Sequence, residues 1–299
     1  MQQEKYEKAE PFLTKLITKK KEQIDNDRAI LLDASKALAK MYMKVGRYED
    51  AELIYLEQLA KERARLGNNH PSVLPIMNNL ALLYLNQTKY DKAEPLFLEC
   101  LAKMRVQLGN DHSDTMTLLF NLGSLYRNQQ NHAQAEGYFL ECYERRKSVL
   151  GGDHDETSVT MYNLGQTYFK NEKFDMVEPL MVKYLKSSLA KKLGDDHIMT
   201  LHSIHYLSLA YWGQSKSAQA EELFQDVITR FKRFLGDDHP LTLQYMTSLA
   251  TIYTKQAKYN QAEPLLVECL SKLRVKLGYG HKDTVAVMDM LRDLYRNYP

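Results

Sequence analysis

A chain of 299 residues in which 40 Lys and Arg face 38 Asp and Glu has a formal charge of only +2, and so no net field to gather nucleic acid or an anionic membrane. Its longest apolar run, Leu80 to Leu85, is far short of a membrane span, and Met1-Gln2-Gln3-Glu4-Lys5 opens without the apolar core of a secretory signal. Three cysteines make no disulfide framework, so a reducing, cytoplasmic setting is expected.

The first predicted element is a helix over Tyr6 to Gln23, the body of a half unit at 5–24. Its segment Lys5-Tyr6-Glu7-Lys8-Ala9-Glu10-Pro11 matches Lys89-Tyr90-Asp91-Lys92-Ala93-Glu94-Pro95 further on, which makes it the second helix of a pair whose first helix is absent. Lys19, Lys20 and Lys21 close that helix, where cations suit its negative end.

From Arg28 the pattern is helix, short turn, helix, short turn, in six repeats at about 28–69, 70–111, 112–153, 154–196, 197–238 and 239–280. In the second repeat Val73, Met77, Leu80, Ala81 and Tyr84 recur at helical spacing and stop near Asn86-Gln87-Thr88. Tyr90, Ala93, Leu96, Phe97, Cys100, Leu101 and Met104 then form the apolar stripe of a second helix. Leu108-Gly109 ends it, with glycine providing the left-handed residue of a C-cap, and Asn110 and Asp111 are expected to offer side-chain acceptors to the next helix. Pro71, Asp114 and Pro240 suit a first turn.

The punctuation Leu-Gly-x-x-His begins at Leu66, Leu108, Leu150, Leu193, Leu235 and Leu277, in steps of 42, 42, 43, 42 and 42 residues. An Ala-Glu pair keeps the same beat at Ala9, Ala51, Ala93, Ala135, Ala220 and Ala262, and Val177 stands at the remaining place. Two unrelated markers sharing one period mean that one supersecondary unit is stacked repeatedly. The expected fold is all-α, a single right-handed αα-superhelix over 1–299 with six helix pairs and a half unit at each end. Ala81, Gly123, Gly165, Ser208 and Ala250 share a phase, as do the alanines of the Ala-Glu pairs, because helices approach closely only over small side chains. Tyr42, Tyr84, Tyr126, Tyr168, Tyr211, Tyr253 and Tyr295 share another, and read as core aromatics with the hydroxyl at the rim. Between Tyr184 and Gly194 one extra residue enters. Such an insertion is commonly absorbed as a π-bulge, which often marks a functional site, and a local packing adjustment is the preferred reading here. The helix at 281–297, charged at Asp289, Arg292 and Asp293, reads as the polar cap of an open solenoid.

Tempting chemistry in the repeats reduces to structure. Equivalent histidines of stacked units are separated by about 8–10 Å, whereas zinc holds its ligands at about 2.1 Å, so His70 and its counterparts are turn residues. Cys100, Cys142 and Cys269 share one phase and read as buried packing residues. No phosphate loop, Gly-x-Ser-x-Gly, His-Glu-x-x-His or Cys-x-x-Cys occurs, and Asp153-His154-Asp155-Glu156 reads as a helix start. No catalytic residue, metal site or cofactor is expected.

The phases of Leu80, Ala81, Tyr84 and Ala93 resemble those of the tetratricopeptide repeat, whose usual period is about 34 residues. The longer unit, with Asn-Asn-Leu-Ala-Leu-Leu-Tyr, Tyr-Asp-Lys-Ala-Glu-Pro-Leu and Leu-Gly-Asn-Asp-His, is similar to the repeats of kinesin light chain and nephrocystin-like proteins. No heptad coiled coil of the kind that joins kinesin light chains to their motor is visible, so the motor role does not transfer. The resemblance implies a concave groove lined by the first helix of each pair, in which an inner-face asparagine pairs with the backbone of an extended peptide. That phase reads Ala37, Asn79, Asn121, Asn163, Tyr206, Ser248 and Met290, and an amide both donates and accepts.

Around this ladder the expected inner face holds Phe120, Ser124, Arg127, Tyr162, Gln166, Phe169, Lys170, His205, Leu209 and Trp212, flanked by Lys36, Lys40, Lys44 and Lys255. Aromatics beside amides and cations suit a recognition surface, and the cations suit a ligand with acidic residues. The resemblance also offers a carboxylate clamp, but only Lys36 and Asn79 fit it, while Lys40, Thr117 and Asn121 depart from it. The expectation is a non-catalytic protein–protein interaction scaffold that binds an extended peptide or partner protein, without nucleic acid or membrane. The second reading is an assembly subunit that uses its convex face or its ends.

Overall fold

The computed structural model describes residues 10–15 and 28–297, and every element within them is helical. Helix α1 is described over 10–15, and the lysines at 19–21 lie outside the described residues. The remaining helices are α2 (Arg28–Lys44), α3 (Tyr48–Leu66), α4 (Val73–Asn86), α5 (Tyr90–Gln107), α6 (Ser113–Asn128), α7 (His132–Leu150) and α8 (Asp155–Lys170). They continue with α9 (Phe174–Leu185), α10 (Ser188–Leu193), α11 (Ile198–Gly213), α12 (Ser217–Leu235), α13 (Pro240–Lys255), α14 (Tyr259–Leu277) and α15 (Lys282–Asn297). The chain divides into two compact units, residues 1–149 and 150–299. In the first unit α2 packs on α3, α3 on α4, α4 on α5 and α5 on α6. In the second, α8 packs on α9, α9 on α11, and α11 to α15 each on the next.

Small residues set the helix spacing. Ala81, Gly123, Gly165, Ser208 and Ala250 are all buried, and a Cβ built on Gly123 would lie 2.7 Å from the Phe139 ring. On α15 the same phase holds Arg292, whose side chain is 58% exposed.

Each junction has its own device. After the second helices, Gly67, Gly194, Gly236 and Gly278 take φ between 82° and 96° with ψ between 161° and 171°. This extended mirror-image region is open to glycine and costly to other residues. The next helix is capped by histidine, not by the Asn and Asp side chains expected from the sequence. Nδ1 of His112, His154, His197 and His239 accepts from the backbone N–H two residues on, at 3.2 Å. A short acceptor three bonds from the backbone is what the N-cap position needs, and the imidazole nitrogen supplies it in its neutral form.

The first helices end differently. Thr88, Gln130, Glu172, Ser215 and Ala257 have φ between 56° and 62°. The following N–H reaches back five residues to the tyrosine carbonyl, as from Lys89 to Tyr84 at 2.9 Å. That is the Schellman closure, and it fixes the tyrosine phase in the backbone. The same tyrosines reach with their hydroxyls to the glutamates of the Ala-Glu marker. Tyr42 donates to Glu10, Tyr84 to Glu52 and Tyr126 to Glu94, each at 2.8 Å. In the second unit Tyr253 donates to Glu221 at 3.1 Å and Tyr295 to Glu263 at 2.7 Å. After Tyr42, Tyr211 and Tyr253 a cation of the following turn covers the ring, with the Arg47 guanidinium 4.2 Å from the Tyr42 centroid and 2.9 Å from Glu10. The hydroxyl is therefore a tie between neighbouring repeats and not a free rim group.

The extra residue of the fourth repeat is absorbed as a break, not as a π-bulge. Helix α9 stops at Leu185, and α10 restarts after Ser187, whose Oγ accepts from the Ala190 N–H at 3.2 Å. The Ser188 N–H is held by Asp153 at 2.7 Å. A serine and an aspartate were at hand to satisfy the freed N–H groups, which makes two helix ends cheaper than one distorted turn.

Candidate functional site

The middles of five first helices, α4, α6, α8, α11 and α13, are free of charge, whereas α2 carries Asp33, Lys36 and Lys40 and α15 carries Asp289, Arg292 and Asp293. No Asp, Glu, Lys or Arg occurs in α4 or α11, and α13 has only Lys255 in its last turn. In α6 and α8 the charges, Asp114 with Arg127 and Asp155 and Glu156 with Lys170, stand only in the first and last turns. The second helices take the charge instead, in pairs such as Arg105 with Glu141 at 2.7 Å and Lys232 with Glu268 at 2.9 Å.

In the first unit Asn79 and Asn121 are both half-buried. The Asn121 amide donates to Asn78 Oδ1 at 3.1 Å, so the cross-helix amide contact runs one residue away from the expected phase. Phe120 is half-buried, edge-on to Phe139 at 5.4 Å, with the Arg146 guanidinium 5.4 Å from its centroid. Arg127 lies over the other ring, 5.6 Å from the Phe139 centroid, and Ser124 donates to the Phe120 carbonyl at 3.0 Å. On α2, Lys36 stands 3.5 Å from Asp33 and Lys40 is exposed.

In the second unit Asn163 is buried and donates to the Val159 carbonyl of its own helix at 2.8 Å. Gln166 is half-buried and Lys170 exposed. Phe169 and Tyr206 are half-buried and meet at 5.4 Å, with Phe174 behind Phe169 at 5.9 Å. Trp212 is half-buried against the core.

Tyr162 and His205, expected on the open face, lie inside. Tyr162 packs 5.5 Å from Tyr184 and shares a 3.1 Å hydrogen bond with His202 Nδ1. His205 is only 7% exposed, 4.1 Å from the Tyr245 ring and edge-on to Phe224 at 5.3 Å. Burial pushes its imidazole down to about 3, with nearby His202 adding to the shift, and burial lowers His202 as well. Their phase borders core and surface, and an aromatic side chain there turns inward as soon as a neighbouring ring receives it.

The partners that receive them, Tyr184, His202 and Tyr245, were not singled out from the sequence. The three-residue spacing of His202 and His205, which puts both on one helix face, is the signal that could have found His202. The cysteines are spent on structure. Sγ of Cys100, Cys142 and Cys269 donates to a carbonyl 26 residues earlier, and burial pushes the thiols of Cys100 and Cys269 up to about 12. Among the described residues no helix is long and apolar enough to cross a membrane.

Known proteins match this arrangement at the level of fold. The nearly identical TPR-like repeats of a candidate kinesin light chain from Podosopora anserina superpose with a TM-score of 0.59 at 21% identity, covering 68% of this chain and 95% of that one. BtubC (BKLC) from P. vanneervenii gives 0.65 at 19% identity, covering 79% and 94%. A signal-transduction ATPase with a tetratricopeptide-repeat sensor from Pyrococcus horikoshii gives 0.68 at 17% identity, covering 97% of this chain and 42% of that one. No curated protein sequence matches. The family model described as tetratricopeptide repeat matches residues 27–105, 72–148, 114–188 and 207–274. The chain belongs to the tetratricopeptide-repeat family.

Proposed function

We propose that this protein is a non-catalytic scaffold that holds an extended peptide segment of a partner protein on the inner faces of its first helices. Tetratricopeptide repeats generally serve as protein–protein interaction scaffolds, and the finer reading rests on one observation. Half-buried amides and rings, Asn79 and Asn121 on α4 and α6 of the first unit and Gln166, Phe169 and Tyr206 on α8 and α11 of the second, stand on helices whose middles carry no charge. Depletion of charge with enrichment of aromatics marks the centre of an interface. Amides answer a peptide backbone, which offers a donor and an acceptor at each residue. Lys36 and Lys40 on α2 favour acidic residues in the part of the ligand that reaches them.

In this reading Asn79 and Asn121 face the ligand, Phe169 and Tyr206 form a part-exposed ring pair for apolar side chains, and Arg127 and Lys170 edge the face. Asn163, Tyr162, His205 and Trp212 shape the wall from within. The test uses peptides selected on the immobilised chain from a displayed random library. Asn79→Ala with Asn121→Ala weakens their capture by tenfold or more, about 1.4 kcal/mol, with the far-ultraviolet circular dichroism unchanged. Unaltered capture by this folded double variant defeats the reading.

A second reading, assembly through the outer face, is favoured by one feature of the first unit. Leu56, Leu98 and Leu140 recur at one phase of α3, α5 and α7 and are 42%, 37% and 38% exposed. In that case charge substitutions at these leucines break a complex, and the asparagines are indifferent.

A further inference from the structure

The spaces between α11 and α13 and between α13 and α15 are the same place in successive repeats, yet they are filled differently. In the first, four rings meet. Tyr245 lies 4.1 Å from His205 and 4.6 Å from Phe231, and His202 lies 6.1 Å from Tyr245 and 6.2 Å from Phe231. One repeat later, 42 residues on, the counterparts of His202, His205, Phe231 and Tyr245 are Gln244, Thr247, Leu273 and Val287. All four rings are gone, and the backbone elements that held them remain. What results is a cavity of about 380 Å³, with Leu273 and Val287 among its apolar walls, Met290 beside them, and Gln244, Thr247 and Asp283 as its polar lining. That volume is within the roughly 300–1,000 Å³ range of small organic ligand sites.

We propose that this cavity receives one aromatic ring with a hydrogen-bonding tip, a tyrosine side chain of the bound partner. The neighbouring repeat states the chemistry of the occupant, because the chain itself places a phenol, two imidazoles and a phenyl ring there. An apolar wall takes the face of the ring, and the Gln244 amide and Thr247 hydroxyl answer its polar tip. The residues lining the cavity include Asp283 and no Lys or Arg, so a neutral phenol fits and an anionic group does not. The proposal rests on the peptide-binding reading only for the source of the ring.

The experiment titrates N-acetyl-tyrosinamide onto the full chain and follows the methyl signals of Val287, Leu273 and Met290 by NMR. Saturable shifts at these methyls are expected, with N-acetyl-aspartamide producing none. Val287→Tyr refills the space as Tyr245 does, raises the thermal midpoint and abolishes the shifts. Leu273→Phe fills the same space from another wall and serves if the first variant does not fold. Gln244→Leu reduces the preference for N-acetyl-tyrosinamide over N-acetyl-phenylalaninamide by about fivefold, the worth of one hydrogen bond. The proposal is overturned if the unaltered chain shows no saturable shift, or if the shifts survive in a folded, refilled variant. Peptide capture that depends on Asn79 and Asn121 while the probe fails sinks the cavity proposal alone, and the converse sinks the peptide reading alone.

Discussion

His205 is where acid acts most directly on this protein. An unfolded imidazole titrates near 6.5, whereas the folded one is pushed down to about 3 by burial among Tyr245, Tyr206, Phe224 and His202. The unfolded state therefore binds the proton first. The contribution of His205 is complete above pH 6.5 and is lost as the pH falls towards 3, by about 1.4 kcal/mol per unit. Denaturation midpoints at pH 7 and pH 5 are expected to differ more for the unaltered chain than for His205→Phe, which keeps a ring and cannot be protonated. Equal differences remove His205 from the acid response. In the sequence the residue stood on the expected inner face, at the phase of Phe120 and Tyr162. What turned it inward is Tyr245, a residue of the next repeat, and no local pattern carries that. The histidine caps were hidden for a related reason: imidazole is no standard N-cap, and only the turn geometry brings Nδ1 to the N–H two residues on.

Two glycines at one helix phase test what a close approach costs. A Cβ on Gly123 meets the Phe139 ring at 2.7 Å, and one on Gly165 meets Met181 Cε at 2.1 Å. The shorter distance is the cheaper one, because a methionine end can rotate away, whereas Phe139 is held by Phe120 at its edge. Alanine gains up to about 1 kcal/mol of helix propensity over glycine, against an overpacking cost of about 1–3 kcal/mol. Gly165→Ala is expected to be neutral or slightly stabilising and Gly123→Ala destabilising by about 1–2 kcal/mol, as read from urea denaturation. The reverse order contradicts this account. The elements themselves were the most legible feature of the sequence, since helix period, small-residue phase and glycine stops repeat and reinforce one another. The break between α9 and α10 was legible only as an irregularity. Whether an extra residue becomes a bulge or two ends depends on partners such as Asp153, which lies 35 residues from the serine it holds.

At the scale of the whole chain, each repeat touches mainly its neighbours, so damage is expected to stay local. Gly123→Ala should speed amide exchange in α6 and α7 while leaving α13 and α14 of the second unit near their original protection. Uniform loss of protection would mean that the chain opens as one body. The sequence showed that charge is balanced overall, but not that the second helices take most of it and leave α4 and α11 neutral. That division appears once the helices are sorted into inner and outer members, and the reading of the inner face as a peptide site rests on it.

The tyrosine–glutamate ties also bear on how such a chain can change its length. Each tie joins a glutamate of one unit to a tyrosine of the next across 32 residues, with the same two residue types on both sides. A unit gained or lost by unequal crossing-over leaves every glutamate facing a tyrosine, so the repeat number can drift without stranding a polar group. The 43-residue unit departs from this beat: Glu178 and Tyr211 stand 33 residues apart, Lys216 lies 2.7 Å from Glu178 and 5.1 Å from the Tyr211 centroid, and the added residue is taken up where α9 stops and α10 begins.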